Sequence, residues 1–237
     1  MANPIFGEKA FNSVSTMFDN TQPMTLSGTI NKSAWLLFCV IVTSGISWIY
    51  FNPAFLIIGA LAGFVIALIT IFKKTWAPYT ATLYALAEGL FLGTISKMYN
   101  DALNGIVLQA VLITFAVVAI MLGLYAGRIL QATPMFRKII FIATGAIALV
   151  YLVSFVTSLF GGRIPYIHEG GTFGIVFSLV VIVIAALNLI VDFDNIEAGV
   201  NFGSPKFMEW YCAFGLMITI IWLYLEILRL LAKLRSR

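Results

Sequence analysis

Long apolar runs alternate with short polar breaks along most of this chain. The runs cover residues 34–50, 54–72, 79–98, 105–126, 139–160, 172–193 and 208–231. Each is close to the ~20 residues that an α-helix needs to cross ~30 Å of hydrocarbon. No alternation with a period of two residues, which would mark half-buried strands, competes with these runs. The pattern predicts an all-α integral membrane protein with a bundle of seven transmembrane helices.

The polar breaks divide the chain into three predicted segments. Residues 1–33 form an N-terminal cytoplasmic segment, residues 34–231 the transmembrane domain, and residues 232–237 a short basic C-terminal tail. The first segment is polar and mixed in character and does not resemble a secretory signal, so the first apolar run is expected to be a true span. Asn52-Pro53 predicts a very tight connection between the first two runs.

Composition supports the membrane assignment. Apolar residues make up 61% of the chain and charged residues only 10%, whereas a soluble domain is about half apolar and a quarter charged. The net charge of +4 is not accompanied by a basic cluster with interleaved aromatic residues. We therefore expect no nucleic-acid partner, and we interpret the excess as positive loops that face anionic membrane lipid.

The distribution of lysine and arginine predicts the orientation, because cytoplasmic loops carry an excess of these residues. With the N-terminus inside, the inner side carries Lys9, Lys32, Lys73, Lys74, Arg128, Arg137, Lys138 and Lys206. The outer loops carry only Lys97 and Arg163. The chain is thus expected to be a multi-pass protein of the cell membrane with a cytoplasmic N-terminus. The four basic residues from Arg229 to Arg237 would end outside if the seventh run crosses, so a re-entrant seventh segment remains the alternative.

Four acidic residues inside or at the ends of apolar runs are the candidate functional residues: Glu88, Asp192, Asp194 and Glu226. A charge at mid-membrane costs roughly 2.5–3.5 kcal/mol on insertion scales, so such acids need a partner or a function. Glu88 borders a stripe of small residues, Ala81, Ala85, Gly89 and Gly93. Because such stripes pack against other helices, we expect Glu88 to face the bundle, either as a cation or proton site or as a hydrogen-bonded neutral acid.

Asp192 and Asp194 lie in the sequence LNLIVDFDNIEAGV, residues 187–200. Two residues turn a helix by ~200°, so the two side chains leave on nearly opposite faces. Asp192 lies at the inner end of the sixth run, at the membrane depth of Lys73-Lys74 after the second run. We predict a latch between them whose strength depends on pH. The alternative for both acids, and more so for Asp194, is the solvated end of a helix.

Glu226 is followed three residues later by Arg229, which predicts an ion pair within one helix. Enzyme chemistry is not expected. The single histidine, His168, excludes H-E-x-x-H metal chemistry and leaves no base for a serine nucleophile. No resident cofactor is predicted. Carboxylate oxygens at Asp192 and Glu88 suit transient Ca²⁺, and they suit protons equally well.

Four stretches together resemble the Bax inhibitor-1 family, in its bacterial branch with an extended N-terminal segment: MTLSGTINKSA (24–34), YTATLYALAEGLFLGTIS (79–96), LNLIVDFDNIEAGV (187–200) and ITIIWLYLEILRLL (218–231). The resemblance implies a seven-helix bundle of the bacterial inner membrane that conducts a pH-dependent calcium leak. It implies that Asp192 is the acid of the sixth span and Lys73-Lys74 its basic partner. The family's second aspartate, in the last span, aligns with Thr219, and Glu226 follows two turns later.

The predicted function is a pH-sensitive cation leak channel, with calcium as the favoured ion, controlled by acids in the helix bundle. Two alternatives stay open. One is a proton-coupled transporter, in which Glu88 would titrate. The other is a non-conducting membrane scaffold that binds a protease or another membrane protein.

Overall fold

Seven α-helices make up the fold. The computed structural model describes residues 22–160 and 171–236, apart from the side chains of residues 155 and 159. The helices are α1 (Leu26–Ile49), α2 (Ala54–Phe72), α3 (Ala77–Ala102), α4 (Ile106–Ala126), α5 (Pro134–Leu159), α6 (Thr172–Asn201) and α7 (Met208–Arg235). These residues contain no strand, only an isolated bridge between Pro23 and Pro205. The predicted all-α bundle of seven helices is confirmed.

Two helices, α1 and α5, start well before their apolar runs, because capping residues determine where a helix begins. Thr25 caps α1 by accepting a hydrogen bond from the Gly28 N–H at 3.0 Å, so the helix starts at Leu26 and not at residue 34. Thr133 caps α5 in the same way, and Pro134 occupies the first helical position. The predicted start of the fifth helix at residue 139 was therefore wrong.

Three helices, α3, α6 and α7, also extend further toward the C-terminus than their apolar runs. α6 continues to Asn201, so Asp192 and Asp194 lie within a helix and not at its end. α7 continues to Arg235, which means that most of the predicted basic tail is helical. Six of the seven helices, all except α3, are long and apolar enough to cross a membrane. The chain is therefore a multi-pass membrane protein.

The chain forms two compact units. Of the described residues, the first unit contains 22–104 and 192–218, and its core joins Met24, Ala77, Ile196, Met208, Tyr211 and Cys212. The second unit contains 105–160, 171–191 and 219–236, and its core includes Ile140 and Val191, with Phe136 and Leu187 packed against them.

Within the first unit, α3 packs closely on α1 through glycine. A Cβ at Gly89 would overlap the Thr43 hydroxyl and lie 2.7 Å from the Val40 carbonyl oxygen. The Ser44 hydroxyl donates a hydrogen bond of 3.0 Å to the Gly89 carbonyl. A Cβ at Gly93 would likewise overlap the carbonyl oxygen of Ser44. The prediction that the small-residue stripe packs against another helix is confirmed for these two glycines.

Adding a methyl group at Gly89 should therefore separate α1 from α3. We expect Gly89→Ala to lower the stability of the purified protein by about 1–3 kcal/mol, the usual cost of overpacking. Gly145→Ala in α5 is the matched control, since nothing lies within 4 Å of a Cβ there. That change should be neutral or slightly stabilising, because alanine is the better helix former. Thermal unfolding in detergent measures both, and equal Tm values would contradict the close packing.

Candidate functional site

Glu88 lies on α3 and is half-buried against α2. A Cβ added at Gly63 of α2 would lie 2.6 Å from Glu88 Oε1, so the carboxyl group packs directly on that helix. The Tyr84 side chain, one turn earlier on α3, lies within electrostatic range of the same carboxyl group. Tyr84 itself is buried and packs edge-on against Phe214, with ring centroids 4.9 Å apart. Glu88 therefore faces neighbouring helices, as its sequence position predicted.

Asp192 is the most buried acid of α6, with 1% of its surface exposed. Asn188 and Asn195, one turn before and after it, are buried as well. Asp194 is only partly buried and Glu197 is exposed. The two aspartates thus lie on different faces of the helix, as the ~200° rotation between them requires. Asp192, together with Asn188 and Asn195, therefore lies on the buried face of this part of α6.

The two lysines of the predicted latch contact aromatic rings. Lys73 Nζ lies 4.3 Å from the ring centroid of Trp76. Lys74 Nζ lies 5.5 Å from the ring centroid of Tyr211, and burial lowers the pKa of this ammonium because its charged form is partly desolvated. The next residue, Cys212, lies within electrostatic range of the Asp192 carboxylate. Lys74 and Asp192 therefore approach adjacent residues of α7, and their direct pairing stays a prediction.

Glu226 lies in the second unit and is almost completely buried. Its Oε1 atom accepts hydrogen bonds from the Arg229 guanidinium at 2.8 Å and from the Tyr151 hydroxyl at 2.6 Å. Arg229 also donates to the Tyr151 oxygen at 2.8 Å. The ion pair predicted from the sequence is confirmed. Glu226 Oε2 is buried with no hydrogen-bond partner among the described residues.

A third buried acid, Glu209, was not among the candidates taken from the sequence; it is 0% exposed in the first turn of α7. Its Oε1 atom accepts hydrogen bonds from the backbone N–H and the hydroxyl of Thr25, at 2.8 and 3.0 Å. Lys32 forms an ion pair with Oε2, and Lys206 lies 3.0 Å from Oε1. The available signal was an acid in the first helical turn, where the helix dipole favours negative charge.

Lys233 is a second residue whose position only the structure shows. The sequence analysis assigned it to the basic tail, but it is buried on α7 with 5% of its surface exposed. Its ammonium donates hydrogen bonds to the Gly174 carbonyl at 3.0 Å and to the Ser178 hydroxyl at 2.9 Å. A buried ammonium needs such partners because desolvation disfavours an unpaired charge.

Among the residues that the structure describes, no three or more histidine, cysteine, aspartate or glutamate side chains are grouped to hold a metal ion. His168 lies outside the described residues.

Comparison with known protein families gives a match. A sequence model for the family described as Bax inhibitor 1 like matches residues 3–236, which is essentially the whole chain. No curated protein matches it. The family match extends over all seven helices and over each of the acids described above.

Proposed function

Because the chain belongs to the Bax inhibitor 1 like family, we propose that it is a pH-sensitive cation leak channel, with calcium as the favoured ion. The burial of Asp192 carries this proposal. A carboxyl group that is 1% exposed in a long apolar helix is costly to retain in a membrane, and such acids commonly mark ion or proton paths.

The distribution of acids supports a cation path along the first unit. The seven acids among the described residues are Glu88, Asp101, Asp192, Asp194, Glu197, Glu209 and Glu226. All except Glu226 belong to the first unit. Carboxylate and carbonyl oxygens are the ligands that Ca²⁺ prefers, and rings or rows of acids favour cations in pores. Asp192 and Glu88 are the proposed ion contacts. Asp194 lies near Asp192 on a partly exposed face of α6.

The proposed latch uses Lys74 and Asp192, with Lys73 as the alternative base. In the closed state the ammonium would turn from the Tyr211 ring to the carboxylate. Protonation of Asp192 removes the negative charge of this pair, so acidic pH should weaken the latch and increase the leak. Burial lowers the pKa of Lys74, so its ammonium loses its charge at a lower pH than a free lysine does. Alkaline pH should therefore weaken the latch as well.

A proton-coupled transporter is the second candidate function, and one observation favours it. Glu226 Oε2 is buried without a hydrogen-bond partner in the described part of the chain, beside the Arg229 and Tyr151 contacts of Oε1. Buried acids inside transmembrane helices are typical of ion and proton paths. Such a transporter would show saturable, substrate-specific flux, whereas a leak channel would not.

The proposal assigns no catalytic step and no resident cofactor to this protein. Its partners would be membrane lipid and Ca²⁺ or protons. Complete absence of flux would favour the third possibility, a non-conducting scaffold that binds a protease or another membrane protein. Nucleic acid is not among the proposed partners.

Calcium flux in liposomes tests the proposed function. Protein-loaded vesicles should take up Ca²⁺ faster than empty vesicles, and faster at pH 6 than at pH 8. Equal rates in loaded and empty vesicles at both pH values would sink the channel. Flux that saturates with one substrate and follows a proton gradient would favour the transporter.

We further propose that the protein resides in the cell membrane, in bacteria the inner membrane, with the N-terminus in the cytoplasm. A reporter fused after Arg237 should then read outside, and one inserted after Lys74 should read inside. The expectation follows from seven crossings and from the excess of lysine and arginine on the inner side. If both reporters are cytoplasmic, α7 is re-entrant and the chain crosses six times.

A further inference from the structure

The buried carboxylate of Glu209 connects distant parts of the first unit. It binds Thr25 and Lys32 of the N-terminal end of α1, which are 184 and 177 residues away in sequence. Lys206, in the connection before α7, completes the group. We call these four residues, Thr25, Lys32, Lys206 and Glu209, the Glu209 clamp.

Backbone contacts next to the clamp hold the same two segments together. The Met24 N–H donates a hydrogen bond of 2.7 Å to the Ser204 carbonyl, and Pro23 pairs with Pro205. Gly28 leaves the space that the carboxylate fills, since a Cβ there would overlap the Glu209 carboxyl atoms. Lys32 Nζ also lies 5.6 Å from the ring centroid of Trp210. The N-terminal end of α1 therefore packs directly on the N-terminal end of α7.

The residues that follow Glu209 on α7 are those that meet the proposed ion site. Tyr211, two positions on, carries Lys74 over its ring. Cys212, three positions on, is completely buried and lies within electrostatic range of both Asp192 and Glu209. Contacts that hold the first turns of α7 in position therefore also hold the residues that surround Lys74 and Asp192.

We propose that Glu209 is a positioning residue, and that its clamp holds the first two turns of α7 in place beside Lys74 and Asp192. The physical basis is a carboxylate buried at the N-terminal ends of two helices, where both dipoles favour its negative charge. Charge-assisted hydrogen bonds are about twice as strong as neutral ones, so each ammonium adds to the hold. The clamp itself follows from the geometry, while its role at the ion site rests on the proposed function.

The thiol of Cys212 reports on the clamp without any flux measurement. In a Cys39→Ala background it is the single cysteine, and its burial should protect it from a maleimide reagent. Glu209→Gln keeps the shape of the side chain but removes its charge. We expect Cys212 to react at least about tenfold faster in this variant, since local opening frees the first turns of α7.

Two controls separate the clamp from ordinary stability. Lys32→Arg retains the ion pair and should leave Cys212 protected. Asp101→Asn, at the exposed Lys97–Asp101 pair, removes a carboxylate elsewhere and should also have no effect. Cys39, buried on α1 and followed in a Cys212→Ala background, should stay protected when Glu209→Gln opens the clamp.

An unchanged rate at Cys212 in Glu209→Gln would overturn the clamp. If both thiols become reactive together in Glu209→Gln, the whole unit has unfolded. The milder variant Lys32→Gln, in which Glu209 keeps its contacts with Thr25 and Lys206, then tests the clamp. Exposure of Cys212 alone in that variant supports the proposal, and exposure of both thiols or of neither overturns it. In liposomes, Glu209→Gln should change the pH profile of calcium flux, whereas Lys32→Arg should leave the wild-type profile unchanged. Absence of flux in the wild type would refute the channel and leave the thiol result to judge the clamp.

Discussion

Replacing Asp192 by asparagine should leave a calcium leak that pH no longer controls. The amide retains the size of the side chain but cannot ionise, so it cannot pair with a lysine in one protonation state only. If the pair contributes about 1.4 kcal/mol to the closed state, the wild type should show a roughly tenfold difference in flux between pH 6 and pH 8, and the variant almost none. The measurement is Ca²⁺ entry into liposomes at the two pH values.

Two further variants make this result specific to the predicted latch. The double change Lys73→Ala and Lys74→Ala should produce a similar leak, because it removes the other half of the contact. Asp194→Asn is the matched control, since Asp194 lies two residues away on a different and partly exposed face of α6. It should change the flux much less. A pH-sensitive flux that survives in Asp192→Asn would return Asp192 to the role of a buried structural acid.

Replacing Arg229 by methionine should destabilise the second unit strongly. Glu226 is buried, and Arg229 supplies the opposite charge at 2.8 Å. Removing one partner of a buried ion pair costs about 3–5 kcal/mol because the remaining charge is uncompensated. A third of the Arg229 side chain is exposed, so water partly screens the pair. We therefore expect a loss of about 2–3 kcal/mol, measured as a decrease in Tm in detergent.

The double variant Arg229→Met with Glu226→Gln tests the cause. The neutral amide needs no counter-charge and can still accept the hydrogen bond of Tyr151, so much of the lost stability should return. At the exposed Lys97–Asp101 pair, Asp101→Asn should cost less than about 1 kcal/mol. If Arg229→Met costs no more than that control, the buried pair adds little to the stability of the folded protein.

The comparison of predicted and observed helix ends shows what apolarity measures. The second and fourth helices were predicted to within one residue, because Pro53 and Gly105 mark where these helices begin. The other five helices extend beyond their apolar runs into polar sequence. An apolar run marks the part of a helix that faces lipid or core. Backbone hydrogen bonds continue beyond it until a capping residue or a turn ends the helix.

The sequence by itself determined the features that depend on local spacing. Apolar runs of helical length specified seven helices, and small residues at every fourth position specified the face of α3 that packs on α1. The pairing of Glu226 with Arg229 also followed, because three residues of separation on a helix bring side chains together whatever surrounds them. These relations need no knowledge of which helices are neighbours.

Only the tertiary structure decided which distant side chains the buried charges meet. Glu209 pairs with Lys32, and Glu226 with the Tyr151 hydroxyl, across 177 and 75 residues of sequence. Lys74 lies over Tyr211, and Lys233 is buried against Ser178. No spacing rule links such pairs, because the order of helices in space sets their proximity. The cost of burying a charge dictates that each one finds a partner, and the packing of the helices determines which partner it is.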